Sequence, residues 1–132
     1  MNVLVVGAGG VGSAIAAVAQ HRDFFERMTL ADIELGRAHA AVRTLREPDR
    51  FGAARIDASD PAEVVAAARD ARADVIVNAA DPRFNPQIFG AAFEARCTYL
   101  DMAMTLSEPH PDQPYERAGV MLGERQFAEH ER

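Results

Sequence analysis

The sequence predicts an α/β fold, a doubly wound parallel sheet with helices on both faces. Three observations carry that expectation. Short apolar runs rich in β-branched residues alternate with stretches of helical periodicity. The first run, Val3 to Val6, is apolar at every position, as a strand covered on both sides should be. A glycine-rich turn, GAGGVG at 7–12, follows it at once and opens an amphipathic stretch.

The first strand is Asn2 to Val6. Val11, Ile15, Val18 and Ala19 then recur at helical spacing, so they are expected to form the face that returns over the sheet. Met28 to Ala31 reads as a second strand ending at Asp32, and Glu34 to Leu45 as a second helix with Leu35, Ala38, Val42 and Leu45 on one side. A third strand is expected at Ala53 to Ile56. The helix after it starts with Asp60 as cap, Pro61 in the first turn and Glu63 reaching back in a capping box. Asp74 to Asn78 is the fourth strand. Asn85-Pro86 opens a helix in the same way, with Ile88, Phe89, Ala92 and Phe93 facing inward, and Thr98 to Leu100 is the fifth strand.

Beyond it the periodicity stops. Residues 103–114 hold three prolines and read as a long loop, followed by a last crossover helix over about 114–130. That helix leads to no further strand. The expectation is therefore one domain, residues 1–132, truncated before a substrate domain.

Composition excludes several functions. With 14 basic against 20 acidic residues and a net charge of −6, there is no basic footprint for nucleic acid or an anionic membrane surface. Every basic residue is Arg, so no lysine is available as a base or Schiff-base former. The one cysteine, Cys97, rules out an intramolecular disulfide, and no Cys/His spacing fits zinc. No apolar run approaches the roughly 20 residues of a bilayer span. A cytoplasmic protein is expected.

The glycine turn carries the chemistry. Gly7, Gly9 and Gly12 occupy the positions of G-x-G-x-x-G, the fingerprint of a Rossmann fold. The first lets the chain leave the strand in a tight turn. The second leaves space for a pyrophosphate against the backbone, and the third lets helix and strand pack closely. Free N–H groups at a helix N-terminus then favour an anion. Asp32, twenty residues past the last glycine, can accept from the adenosine ribose hydroxyls and repel a 2′-phosphate, which favours NAD over NADP. Arg37 argues the other way, since it can pair with such a phosphate. Asp57-Ala58 lies where an adenine would rest, and Asp57 serves either the exocyclic amine or the next helix as cap. Asn78-Ala79-Ala80-Asp81 lies across the switch point, with small residues leaving room for a ribose and nicotinamide; Asn78 binds either cofactor or loop backbone. Tyr99 and Asp101 face the same crevice by position. The four histidines do not cluster, and no catalytic residue is assigned.

The succession VLVVGAGGVGSAIA, TLADIELGRA, RIDASD, DVIVNAADPRFN and CTYLDMA resembles the N-terminal part of the saccharopine dehydrogenase (saccharopine reductase) family over nearly the whole chain. The resemblance implies hydride exchange between a nicotinamide cofactor and a secondary amine or its imine, with a C-terminal domain shaping the substrate pocket. It also implies a pyrophosphate loop at Gly7, Gly9, Gly10 and Val11, a ribose position at Asp32, an adenine side at Asp57 and Ala58, and a nicotinamide side at Ala79, Ala80 and Asp81; Ala8 and Gly12 complete the expected cofactor-binding turn. Several members use NADP, with a basic or hydroxyl residue after the second strand, and Asp32-Ile33 departs from that. A different class stays open, a regulatory NAD-binding module of the potassium-channel gating kind that binds without chemistry. A sheet cut short exposes apolar surface, so a homo-oligomer is also expected.

Overall fold

The structure is a computed structural model that describes residues 1–129. Five strands, β1 (Asn2–Val6), β2 (Arg27–Asp32), β3 (Phe51–Arg55), β4 (Val75–Asn78) and β5 (Thr98–Asp101), form one sheet in the order β3-β2-β1-β4-β5. All pairings are parallel, and Val5 at the centre lies opposite Leu30 on one side and Val77 on the other. The helices are α1 (Gly10–Ala19), α2 (Leu35–Arg43), α3 (Pro61–Asp70), α4 (Asn85–Ala95) and a short α5 (Glu124–Phe127). Strand order reverses between β3 and β4, so the carboxyl ends of β1 and β4 flank a crevice at the switch point.

Two cores sit on the two faces of the sheet. Val3, Val5, Met28, Leu30 and Phe51 pack under α1 and α2, while Leu4, Val6, Ala31 and Ile76 pack under α3 and α4. Leu4, Leu30, Ile76 and Ile88 are fully buried. Each contributes roughly 1.5–3 kcal/mol by leaving water.

Local chemistry fixes the helix starts. Asp60 caps α3 by accepting from the Ala62 N–H at 2.8 Å, with Pro61 in the first turn. Glu63 differs from the capping-box expectation: its carboxylate passes the cap and accepts from the Asp57 N–H at 2.8 Å. Ahead of α4, Asp81 caps a single 3-10 turn, Pro82–Phe84, by accepting from the Arg83 N–H at 2.9 Å. Because that turn comes first, Asn85 does not cap; its side chain turns inward and is 1% exposed.

Three expectations need correction. The buried face of α1 is Gly12, Ala16 and Ala19, whereas Val11 and Val18 are 50% and 61% exposed. Size decides the rotation, because only small residues let the helix sit this close to β1. On α4 the buried residues are Asn85, Ile88, Ala91 and Ala92, and Phe93 is exposed. The helix expected over 114–130 is not formed; among the described residues only Glu124–Phe127 is helical, and residue 130 lies outside them. Gly123 interrupts the run with φ +72°, in a place where a Cβ would strike the Met104 side chain.

Among the described residues no helix lies over the face of β4 and β5 on the α1 side. Val75, Val77 and Leu100 line an apolar depression of about 740 Å³ there with Val11, Val18 and Phe24. The apolar stripe of α1 faces this open half.

Candidate functional site

Each glycine of the turn sits in a different steric setting. Gly7 has φ +99°, and a Cβ there would lie 2.8 Å from the Ala79 carbonyl oxygen. A Cβ on Gly12 would lie 1.8 Å from the Gly7 carbonyl oxygen, so helix and turn are in direct contact at this point. At Gly9 and Gly10 a Cβ would meet nothing within 4 Å. Space therefore lies open above the backbone where the other two glycines close it.

That space is polarised. The Ser13 N–H is the first to bond back into α1, to the Gly9 carbonyl at 2.9 Å. The amides from Gly9 to Gly12 consequently have no acceptor within the helix and carry its positive end.

Asp32 ties this turn to the end of β2. It is 6% exposed and accepts from the Ala8 N–H at 2.9 Å, from the Glu34 N–H at 3.0 Å and from the Arg37 guanidinium at 3.3 Å. Arg37 also pairs with Glu34 at 3.1 Å, so its charge is shared between two carboxylates. A 2′-phosphate would have to draw it away from both.

A crevice of about 260 Å³ joins these parts. It is bounded by Gly7, Gly9 and Asp32 on one side, and by Asp57, Ala58, Ala79, Ala80 and Asp81 on the other. Ala8, Gly10, Val11 and Gly12 belong to the adjoining turn but do not line this crevice.

Asp57 accepts from both the backbone N–H and the hydroxyl of Ser59, at 2.9 and 2.6 Å, which holds its carboxyl below the usual range. It stabilises the turn before α3, while Asp60 is the helix cap. The Arg83 N–H and guanidinium likewise lower the Asp81 carboxyl. Both aspartates stay ionised in neutral solution.

Asn78 is 1% exposed, and its side chain is turned to the protein. Its Oδ1 accepts from the Ala80 N–H at 3.0 Å, and its Nδ2 donates to Asn85 Oδ1 at 2.8 Å and to the Tyr99 hydroxyl at 3.1 Å. Burial raises the Tyr99 phenol well above its ordinary value, so it stays neutral. Its ring meets Phe89 edge-on, with centroids 5.3 Å apart. Cys97 is remote from the crevice; its thiol donates to the Ala73 carbonyl and is pushed up by burial. Among the described residues no three metal-ligating side chains come together.

Two wall residues escaped sequence reasoning. Ile33 and Phe84 line the crevice, and Ile33 is 55% exposed. The available signal was an apolar side chain placed immediately after a strand-ending acid, where a bare loop would be polar.

Comparison with known proteins supports the same reading of the fold. The chain is 27% identical over 114 residues to the carboxynorspermidine synthase of Vibrio alginolyticus, covering 80% of this chain and 28% of that protein. It is 31% identical over 102 residues to the carboxyaminopropylagmatine dehydrogenase of Synechocystis, covering 77% and 25%. The chain thus spans about a quarter of the length of the curated relatives it matches. Among solved structures, the saccharopine dehydrogenase (L-Glu forming) of Saccharomyces cerevisiae superposes with a TM-score of 0.65 at 21% identity, over 83% of this chain and 22% of that one. The model of the saccharopine dehydrogenase NADP binding domain matches residues 3–132, from the first strand through the last residue, and this chain belongs to that family.

Proposed function

We propose that this chain is the cofactor-binding part of an oxidoreductase that moves a hydride between a nicotinamide dinucleotide and a secondary amine or its imine, on a substrate of amino-acid or polyamine type. The observation that carries the reading is the open, positively polarised space over Gly9 and Gly10, a cradle that a Cβ would fill. A regulatory module without chemistry has no comparable support, whereas the relatives are named a synthase and a dehydrogenase.

In this reading the amides of Gly9, Gly10, Val11 and Gly12 hold the pyrophosphate, with Gly7 and Ala8 shaping the turn beneath it. Asp32 takes the adenosine ribose, Asp57 and Ala58 flank the adenine, and Ala79, Ala80 and Asp81 border the nicotinamide side. A bound nicotinamide supplies the hydride. The protein's part is orientation and exclusion of water, and the residues that hold the amine lie in a further domain, which acts with this one on the small-molecule substrate. No side chain of this chain is assigned to the chemical step, and by itself the chain is expected to be inactive.

Asp32 favours NAD, because a 2′-phosphate would sit against its carboxylate, which the Ala8 and Glu34 N–H groups hold at the end of β2. Calorimetric titration with NAD, NADH, NADP and NADPH tests this. Tighter binding of NAD than of NADP is expected, and Asp32→Ser should narrow the gap about tenfold, the worth of one charged hydrogen bond. An unchanged ratio contradicts the role of Asp32.

A reducing cytoplasm suits a chain whose one thiol, Cys97, is protonated and half-buried. No helix among the described residues is long and apolar enough to cross a membrane.

The open face of β4 and β5 fits a second copy of this chain. Met1, Val11, Val18, Phe24 and Leu100 are each about half exposed there. They line the apolar depression of about 740 Å³ beside β4 and β5, a surface that a second copy would cover. Light scattering of the unmodified chain should show a dimer that Val18→Asp dissociates; a monomer at high concentration contradicts it.

A further inference from the structure

A chain of side-chain hydrogen bonds runs from the cofactor crevice to the segment after β5. At one end Asn78 Oδ1 holds the Ala80 N–H, while the Ala79 N–H bonds to the Val6 carbonyl at 2.8 Å. Loop 79–81 is therefore wedged between Asn78 and the Gly7 turn. From Asn78 the chain passes to the Tyr99 hydroxyl, and the Asp101 carboxylate, two residues on along the same face of β5, lies close enough to raise that phenol further. Asp101 Oδ2 accepts from Gln126 Nε2 at 2.7 Å. Gln126 Oε1 in turn accepts from the N–H and hydroxyl of Thr105, at 3.0 and 3.1 Å. A branch leaves Asn78 through Asn85, whose Nδ2 donates to the Ala103 carbonyl.

Burying two primary amides is costly unless their polar atoms are paired. Here the amides of Asn78 and Asn85 are spent on joining the crevice to residues 103–126, none of which belongs to either apolar core. A core amide pair needed only for packing would have no reason to reach the Tyr99 hydroxyl and the Ala103 carbonyl.

We propose that Asn78, Tyr99, Asp101 and Gln126 form a relay through which the placement of segment 102–127 fixes loop 79–81, so that Gln126 and Tyr99 are positioning residues for the nicotinamide half of the cofactor. The proposal rests on the dinucleotide reading above. Gln126 lines no part of the crevice and touches it only through the relay. A domain or substrate that shifts the segment then alters how the nicotinamide is held while leaving the adenosine half unchanged.

Gln126→Ala and Tyr99→Phe, measured by calorimetry with NAD and with ADP-ribose, test the relay. ADP-ribose lacks the nicotinamide, so it reports the adenosine and pyrophosphate sites alone. Each variant should weaken NAD about threefold to tenfold, the span of one lost hydrogen bond. Each should leave ADP-ribose within about twofold, and the double variant should lose less than the product of the two. Equal losses for both ligands, or no loss for NAD, overturn the relay. Failure of the unmodified chain to bind either ligand overturns the dinucleotide reading itself, and the relay's role with it.

Discussion

Residues 2–101 and residues 102–129 are held by different physics. In the first region every strand is paired, and two apolar cores fill the faces that the helices cover. In the second, Met102, Leu106, Met121, Leu122 and Phe127 are each more than half exposed, and Tyr115 is wholly so. What holds this segment is polar: Gln126 to Asp101 and Thr105, Asn85 to Ala103, and one isolated bridge between Glu108 and Val120. Directional bonds place it without burying it. The contrast shows that a segment can be accurately positioned at a site's edge while contributing little to the stability of the whole.

The largest effect that would sharpen this contrast is expected at Gly12. Gly12→Ala puts a methyl group into the Gly7 carbonyl. It should cost about 3 kcal/mol or more, as severe overpacking does, and denaturant melts would show it. Leu4→Ala should cost about 2–5 kcal/mol through the cavity it leaves, while Leu122→Ala, 54% exposed, should stay within about 0.5 kcal/mol. Similar losses at Leu4 and Leu122 would break the comparison. Hydrogen exchange gives a smaller but spatially resolved test. The amides of Val5 and Val77 should exchange only on global unfolding, whereas those of residues 106–118 should exchange through local opening. The smallest effect is electrostatic and belongs wholly to the first region. The carboxyls of Asp57 and Asp81 are depressed by their partners in the folded state. Their contribution is therefore complete above the ordinary carboxylate range and is lost as pH falls through the depressed values. Ser59→Ala should flatten the acid limb of the stability–pH curve, and an unaltered limb would remove Asp57 from it.

The same division governs how much the sequence revealed. β1 was legible because a strand covered on both faces must be apolar throughout, and β4 because VIVN ends at a buried turn-forming Asn. β3 was read two residues late. Its sequence FGAAR is barely apolar, and its start is set by pairing Phe51 with Met28 rather than by its own composition. The rotation of α1 was missed because periodicity weighs apolarity, whereas the sheet selects small side chains at Gly12, Ala16 and Ala19. In the second region the stretch over about 114–130 reads as a helix in the sequence. Gly119 and Gly123 break it, for a Cβ at Gly119 would strike the Glu108 carbonyl.

At the site, the glycine turn and Asp32 could be named because their spacing reflects local geometry. The Asn78–Tyr99–Asp101–Gln126 connection could not, since its members are brought together across as many as 48 residues by folding alone. Ile33 and Phe84 were missed for a related reason: an isolated apolar residue in a loop has no period to announce it.

The central claim is that the bare backbone at Gly9 receives a pyrophosphate, and Gly9→Val tests it most directly. No atom of the protein lies where the new side chain would begin, so the variant should fold and melt like the unmodified chain. Its NAD affinity by calorimetry should fall more than about a hundredfold, the equivalent of two charged hydrogen bonds. A folded Gly9→Val variant that binds NAD with unchanged affinity would contradict the account.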